Sequence, residues 1–217
     1  MNITGFRVAL AVPTSWEWYF EPRRKWSIAW YVERSLRIAG EISSECAVDV
    51  FLYGESARTG ATDVVRTRVD PDSLAGWLSD WAVRPNLNRP IFEDRLPPNL
   101  AEETFGRGEQ PWYGRPLPVV RAVSDWADTS DIPAFVLFWL DRKTQSEEIV
   151  RFIGTDGAAR TYWQFFGDPD DVDYRFWKRD GLSRGEVLPS VRFRFDKSWR
   201  LRPVLREFAR WRATSLS

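Results

Sequence analysis

The chain contains no histidine, which removes the usual imidazole general base and His-ligated zinc from consideration. Without imidazole there is no Ser-His-Asp or Cys-His arrangement. No lysine is placed near Thr14 or Ser15 as a substitute base, so nucleophilic catalysis has no support. A single cysteine, Cys46, excludes a disulfide framework; set between a predicted helix and a predicted strand, it reads as a buried, inert thiol. No apolar stretch approaches the length of a membrane span, and the run 8–12 is too short for the core of a signal peptide, so a cytoplasmic chain is expected. Excess charge is missing too: Lys+Arg 31 against Asp+Glu 31 gives net zero, which argues against an overall attraction to nucleic acid or an anionic membrane. Gly54, Gly60 and Gly76 lack the strand–loop–helix setting of a phosphate-binding loop.

What is present is apolar and aromatic. Hydrophobic residues make up 43% of 217, enough for one sizeable core, and 1–217 reads as a single domain. Thirteen tryptophans are too many to be fully buried, so some are expected to cover edges or form a partner surface.

Strand and helix patterns alternate. Residues 6–12, 48–53, 161–166 and 190–195 read as strands, the second of them ended by Gly54. Residues 64–69 alternate as a half-exposed antiparallel edge strand would. Helical spacing runs through 26–43, through Leu74, Trp77, Leu78 and Trp81 behind an Asp70-Pro71 start, and through Val119, Val120, Val123 and Trp126 behind Pro116. It returns in 145–153, 170–179 and a last helix carrying Leu201, Val204, Leu205, Phe208 and Trp211. Residues 84–114 hold five prolines and no period, a long insertion loop. The order predicts a doubly wound α/β domain: a mostly parallel central sheet, one antiparallel edge strand, helices on both faces.

The strand 135–140 ends at Asp141, and a second apolar strand opens into Asp168, Asp170, Asp171 and Asp173. Ligand sites of open α/β sheets gather at such carboxyl ends, and these acids could supply oxygen to Mg²⁺ or Ca²⁺ for adhesion or phosphoryl transfer. The alternative is a helix start, with Asp168 as cap, Pro169 in the first helical position and Asp170 and Asp171 favoured by the macrodipole; that reading is preferred. Trp16, Trp18, Tyr19 and Phe20 cluster in the first strand–helix loop, and Trp112 and Tyr113 close the Pro-rich loop. Either they roof a pocket as local core or they anchor a protein partner. The C-terminal arginines stay off the apolar stripe and read as a solvated helix face.

Several blocks resemble one family. Phe135-Val136-Leu137-Phe138-Trp139-Leu140-Asp141, Trp163-Gln164-Phe165-Phe166-Gly167 and Glu207-Phe208-Ala209-Arg210-Trp211 are similar to the von Willebrand factor A-type domain of bacterial tellurium-resistance and stress-response proteins. The helix with Val32-Glu33-Arg34 and the strand Val48-Asp49-Val50-Phe51-Leu52-Tyr53-Gly54 fit as well. Such domains often hold Mg²⁺ through Asp-x-Ser-x-Ser after the first strand, a later Thr, and an Asp after the fourth strand. Here the first motif falls on Val12-Pro13-Thr14-Ser15-Trp16, with apolar Val12 in place of the first acid; Arg115 stands in place of the Thr, and Asp141 survives.

The resemblance thus implies a degenerate site of Thr14, Arg115 and Asp141. Either Arg115 pairs with Asp141 where an ion would sit, or Asp141 caps the next helix. The expected function is a non-catalytic protein–protein interaction module of a bacterial stress-response or phage-defence system, binding through Trp16, Trp18, Trp112, Tyr113 and Arg115. No cofactor is favoured, and an AAA+ ATPase is a candidate partner. The alternatives are Mg²⁺-dependent adhesion through Thr14, Asp141 and Asp168, and a divalent-metal phosphoryl-transfer enzyme or nuclease using Asp141 and the 168–173 acids.

Overall fold

Apolar runs too short for helices and too apolar for exposed edges set the sheet. β1 (Arg7–Pro13), β4 (Ala134–Trp139) and β5 (Thr161–Phe166) are buried on both faces almost throughout, as central parallel strands must be. The computed structural model describes residues 5–13, 28–55, 61–81, 115–140, 146–155, 160–167, 188–194 and 201–215. The other strands are β2 (Val48–Glu55), β3 (Thr62–Val69) and β6 (Val191–Arg194). All six form one sheet in the order β3-β2-β1-β4-β5-β6; β3 is antiparallel to β2 and every other pair is parallel. The expected architecture is the observed one.

Alternation along each strand splits the core in two. Val8, Leu10 and Val12 of β1 face one side with Val50, Leu52, Phe135, Leu137 and Trp139. That side is covered by α1 (Ile28–Ile42), α2 (Leu74–Trp81) and α5 (Leu201–Ser215). Ala9 and Ala11 face the other side with Phe51, Tyr53, Val136, Phe138, Trp163 and Phe165, under α3 (Pro116–Asp128) and α4 (Ser146–Thr155). Two alanines on β1 let α3 lie close, and its buried residues Val119, Val120, Val123 and Trp126 are the predicted inner face.

Two expectations change. Gly54 does not end β2: it pairs with Asp63, and the ladder runs on to Glu55 opposite Thr62, because the antiparallel partner extends the hydrogen bonding past the glycine. Cys46 is only half-buried, at a positive φ of 51° in the α1–β2 turn, so its thiol is turn surface rather than core. Asp70 makes the expected capping contact, its carboxylate accepting the Ser73 N–H at 2.7 Å, but 71–73 form a turn and α2 begins at Leu74, so Pro71 is not in the first helical position. The predicted helix 170–179 and the whole of the loop 84–114 lie outside the described residues.

Candidate functional site at the strand ends

The chain winds outward from β1 in both directions, β2 on one side and β4 on the other, so the topological switch point is the β1/β4 pair. Ligands of open α/β sheets enter at the carboxyl ends of such a pair. Ala11 is level with Phe138 and Pro13 with Tyr53, which puts the ends of β1, β2 and β4 side by side. In sequence Thr14 follows Pro13, the last residue of β1, and Asp141 follows Leu140, just past β4.

The floor there is dry. Val12, next to the end of β1, is 0% exposed. On its side of the sheet Tyr31 of α1 packs 4.6 Å from Trp139, and Trp139 stacks on Phe166 at 5.7 Å. On the opposite side Tyr53 reaches from β2 across β1, and its hydroxyl donates to the Trp139 carbonyl at 2.6 Å. The Leu140 N–H donates to the Phe166 carbonyl at 2.8 Å, so the end of β4 has its polar groups occupied. An oxygen-coordinated ion needs free carboxylates and hydroxyls; among the described residues of this edge the Tyr53 phenol is committed to a carbonyl and Val12 offers no ligand atom. Among the described residues no three acids, cysteines or histidines converge as metal ligands.

Arg115 is the one predicted site residue among those described. It is exposed, it precedes α3 in extended conformation, and its N–H donates to Thr62 Oγ1 at 2.7 Å. Thr62 opposes Glu55, so Arg115 stands at the carboxyl edge but above β3. Strand spacing places β3 about 14 Å from β4, which a guanidinium bound for Asp141 would have to cross. Thr14, Trp16, Trp18, Trp112, Tyr113, Asp141, Asp168, Asp170, Asp171 and Asp173 lie outside the described residues. Sequence reasoning missed Tyr53, Tyr31 and Trp139 as the closure of the switch point. Their only local signal is an aromatic residue near a strand end.

The opposite edge is polar. Arg7, at the start of β1, lies 4.0 Å over the Trp126 ring and donates to the Trp126 carbonyl at 3.0 Å and to Thr129 Oγ1 at 3.2 Å. It thereby meets the negative end of α3. Desolvation by burial lowers its pKa, and the charge of Asp49 opposes that shift. Asp49, 5% exposed, receives Arg66 Nε at 2.8 Å and Nη2 at 2.7 Å. Arg68 bonds Glu45, which raises the Arg68 pKa. A small cleft of about 110 Å³ at this edge includes Asp128, Asp131, Ile132, Arg160 and Thr161, with an exposed Arg160–Asp131 pair at 3.0 Å.

No family model and no curated protein matches the chain. Among solved structures it is similar to the ArnB paralog VWA2 from Sulfolobus acidocaldarius, at 8% identity over 91% of this chain and 43% of that one, TM-score 0.45. It is also similar to the human COPII-coat protein Sec24c, at 10% identity over 77% of this chain and 27% of that one, TM-score 0.31. The chain therefore spans less than half the length of either. Among the described residues no helix is long and apolar enough to cross a membrane.

Proposed function

We propose that this chain is a non-catalytic interaction module of the von Willebrand A type, holding a protein partner through the loops that leave β1 and β4, with no bridging ion. One observation carries the reading: the switch point is closed by Val12, Tyr31, Tyr53 and Trp139, in a sheet whose order and antiparallel β3 suit that fold. A closed apolar floor does no chemistry of its own, but it gives the emerging loops a rigid base, and rigid aromatic anchors make good binding surface. In this proposal Trp16, Trp18, Trp112 and Tyr113 supply the anchors, Arg115 supplies charge on the β3 side, and Thr14 and Asp141 are remnants of a lost ion site. The proposed partner is a cytoplasmic component of a bacterial stress-response or phage-defence system, such as an AAA+ ATPase.

Calorimetric titration with Mg²⁺ and Ca²⁺ tests the ion-free part: no heat of binding is expected. Saturable binding abolished by Asp141→Asn would replace this reading with Mg²⁺-dependent adhesion through Thr14 and Asp141. Metal-dependent hydrolysis lost in the same variant would replace it with a phosphoryl-transfer enzyme. Capture of a partner from the native host should fail with Trp112→Ala and weaken with Arg115→Ala, while both variants keep the wild-type circular dichroism spectrum.

A further inference from the structure

A second surface, away from the strand ends, carries charge that the fold does not need. Between residues 192 and 212 the chain has eight basic residues against Asp196 and Glu207, so a neutral protein concentrates positive charge in its last segment. α5 buries Val204, Phe208 and Trp211 against the sheet. Its opposite face presents Arg202, Arg206 and Arg210, all exposed and each one turn from the next. Together they span about 12 Å of helix. Among the described residues none of the three guanidiniums is in an ion pair. Glu207, the one acid of α5, is half-buried and borders the stripe at Arg210, three residues on; Arg202 and Arg206 have no acid at i±3 or i±4.

This arrangement works against the helix. Like charges at i, i+4 repel, and Arg202 sits in the first turn, where the macrodipole is positive and no acid offsets it. A face selected only for solvation would interleave glutamate with arginine. From this we infer that Arg202, Arg206 and Arg210 form a docking stripe for an acidic helix of a protein partner, whose carboxylates repeat at the same one-turn spacing. The surroundings disfavour continuous polyanions. α1, which packs beside α5, is charge-balanced, exposing Arg37 between Glu33 and Glu41, so the positive face ends with the three arginines and offers no continuous track to a long polyanion. The apolar face of α5 is spent on the core, so nothing remains to insert into a bilayer.

The test uses the full chain and a fluorescein-labelled synthetic helix bearing glutamate at i, i+4, i+8 and i+12, with its glutamine counterpart as control, read by anisotropy. The glutamate helix should bind at low salt, weaken as salt rises, and lose about ten-fold or more in affinity for the combined Arg202→Gln, Arg206→Gln, Arg210→Gln variant. That variant should melt no lower than wild type, since repulsion has been relieved. Absence of binding to the glutamate helix, equal binding by the variant, or a lowered melting temperature would each overturn the proposal. Tighter binding to duplex RNA or to phosphatidylserine vesicles than to the glutamate helix would overturn the protein assignment.

Discussion

The two edges of one sheet solve the same problem in opposite ways. Among the described residues, the strand ends at the carboxyl edge are closed by aromatic rings and by a hydroxyl–carbonyl bond from Tyr53 to Trp139. At the amino edge they are closed by charge: Arg7 on the end of α3, Asp49 with Arg66, Arg68 with Glu45, and the Asp70 cap that follows β3. The physical consequence is a division of labour. Ion pairs and caps tolerate water and respond to salt and pH, which suits an edge that only has to hold together. A dry apolar floor responds to neither, and it leaves the loops above it as the place where binding chemistry is decided.

The harshest way to break this contrast is to put charge into the dry edge. Val12→Asp places a carboxylate at a fully buried position beside Leu52, on the face of the sheet that also carries Leu137 and Trp139. An uncompensated charge there should cost about 4 kcal/mol of unfolding free energy in urea. Millimolar Mg²⁺ should not recover it, because the described side chains on that face of the sheet are apolar or aromatic and supply no second carboxylate to an ion. Recovery by Mg²⁺ would mean that the carboxyl edge is a latent ion site and that the contrast is false.

At the polar edge, Asp49→Ala leaves Arg7 and Arg66 facing each other's charge without the carboxylate between them. Arg66 is half in water, so the loss is discounted from that of a fully buried pair to about 2 kcal/mol. The penalty should shrink in molar salt, which screens the remaining repulsion. Tyr53→Phe is the matching deletion at the dry edge. It removes one hydroxyl and leaves the Trp139 carbonyl unpaired by a side chain, for about 1–2 kcal/mol that salt leaves unchanged. If the salt responses of the two variants proved alike, the edges would not differ in the way described.

How much of this was legible in the sequence depends on the range of the interaction. Periodicity is a property of one segment, so the strands at 134–139 and 161–166, the inner face of α3 and the edge character of β3 could be read directly. That β1 and β4 are neighbours followed from the alternation of strands and helices, and the sheet has that order. Tyr53 to Trp139 spans 86 positions and ends on a backbone carbonyl, and Arg7 to Trp126 spans 119. A main-chain acceptor has no residue signature, so neither bond could be seen beforehand. Gly54 misled for a related reason: whether a glycine ends a strand depends on the length of its partner, which here runs to Thr62.

The smallest expected effect is also the one that assigns a titration to an edge. Asp70 has a lowered pKa, chiefly because its carboxylate accepts the Ser73 N–H, with the Ser73 hydroxyl adding to it. A carboxylate whose folded pKa lies below its unfolded value contributes stability above the unfolded value of 3.8 and loses it as pH falls through the folded one. Asp70→Asn keeps a capping oxygen but removes the proton linkage. Its unfolding free energy should therefore match wild type more closely at pH 3 than at pH 7, as followed by urea titration at both values. Asp70 follows Val69, which pairs with Val48 at the start of β2, so this proton belongs to the amino edge. Tyr53→Phe, measured alongside, should show the same penalty at both pH values, since no acid lies among the described side chains that close its edge. A pH-dependent penalty for Tyr53→Phe would reveal a carboxylate coupled to that phenol, and the candidates by sequence are Glu55, two residues from Tyr53, and Asp141, two residues from Trp139.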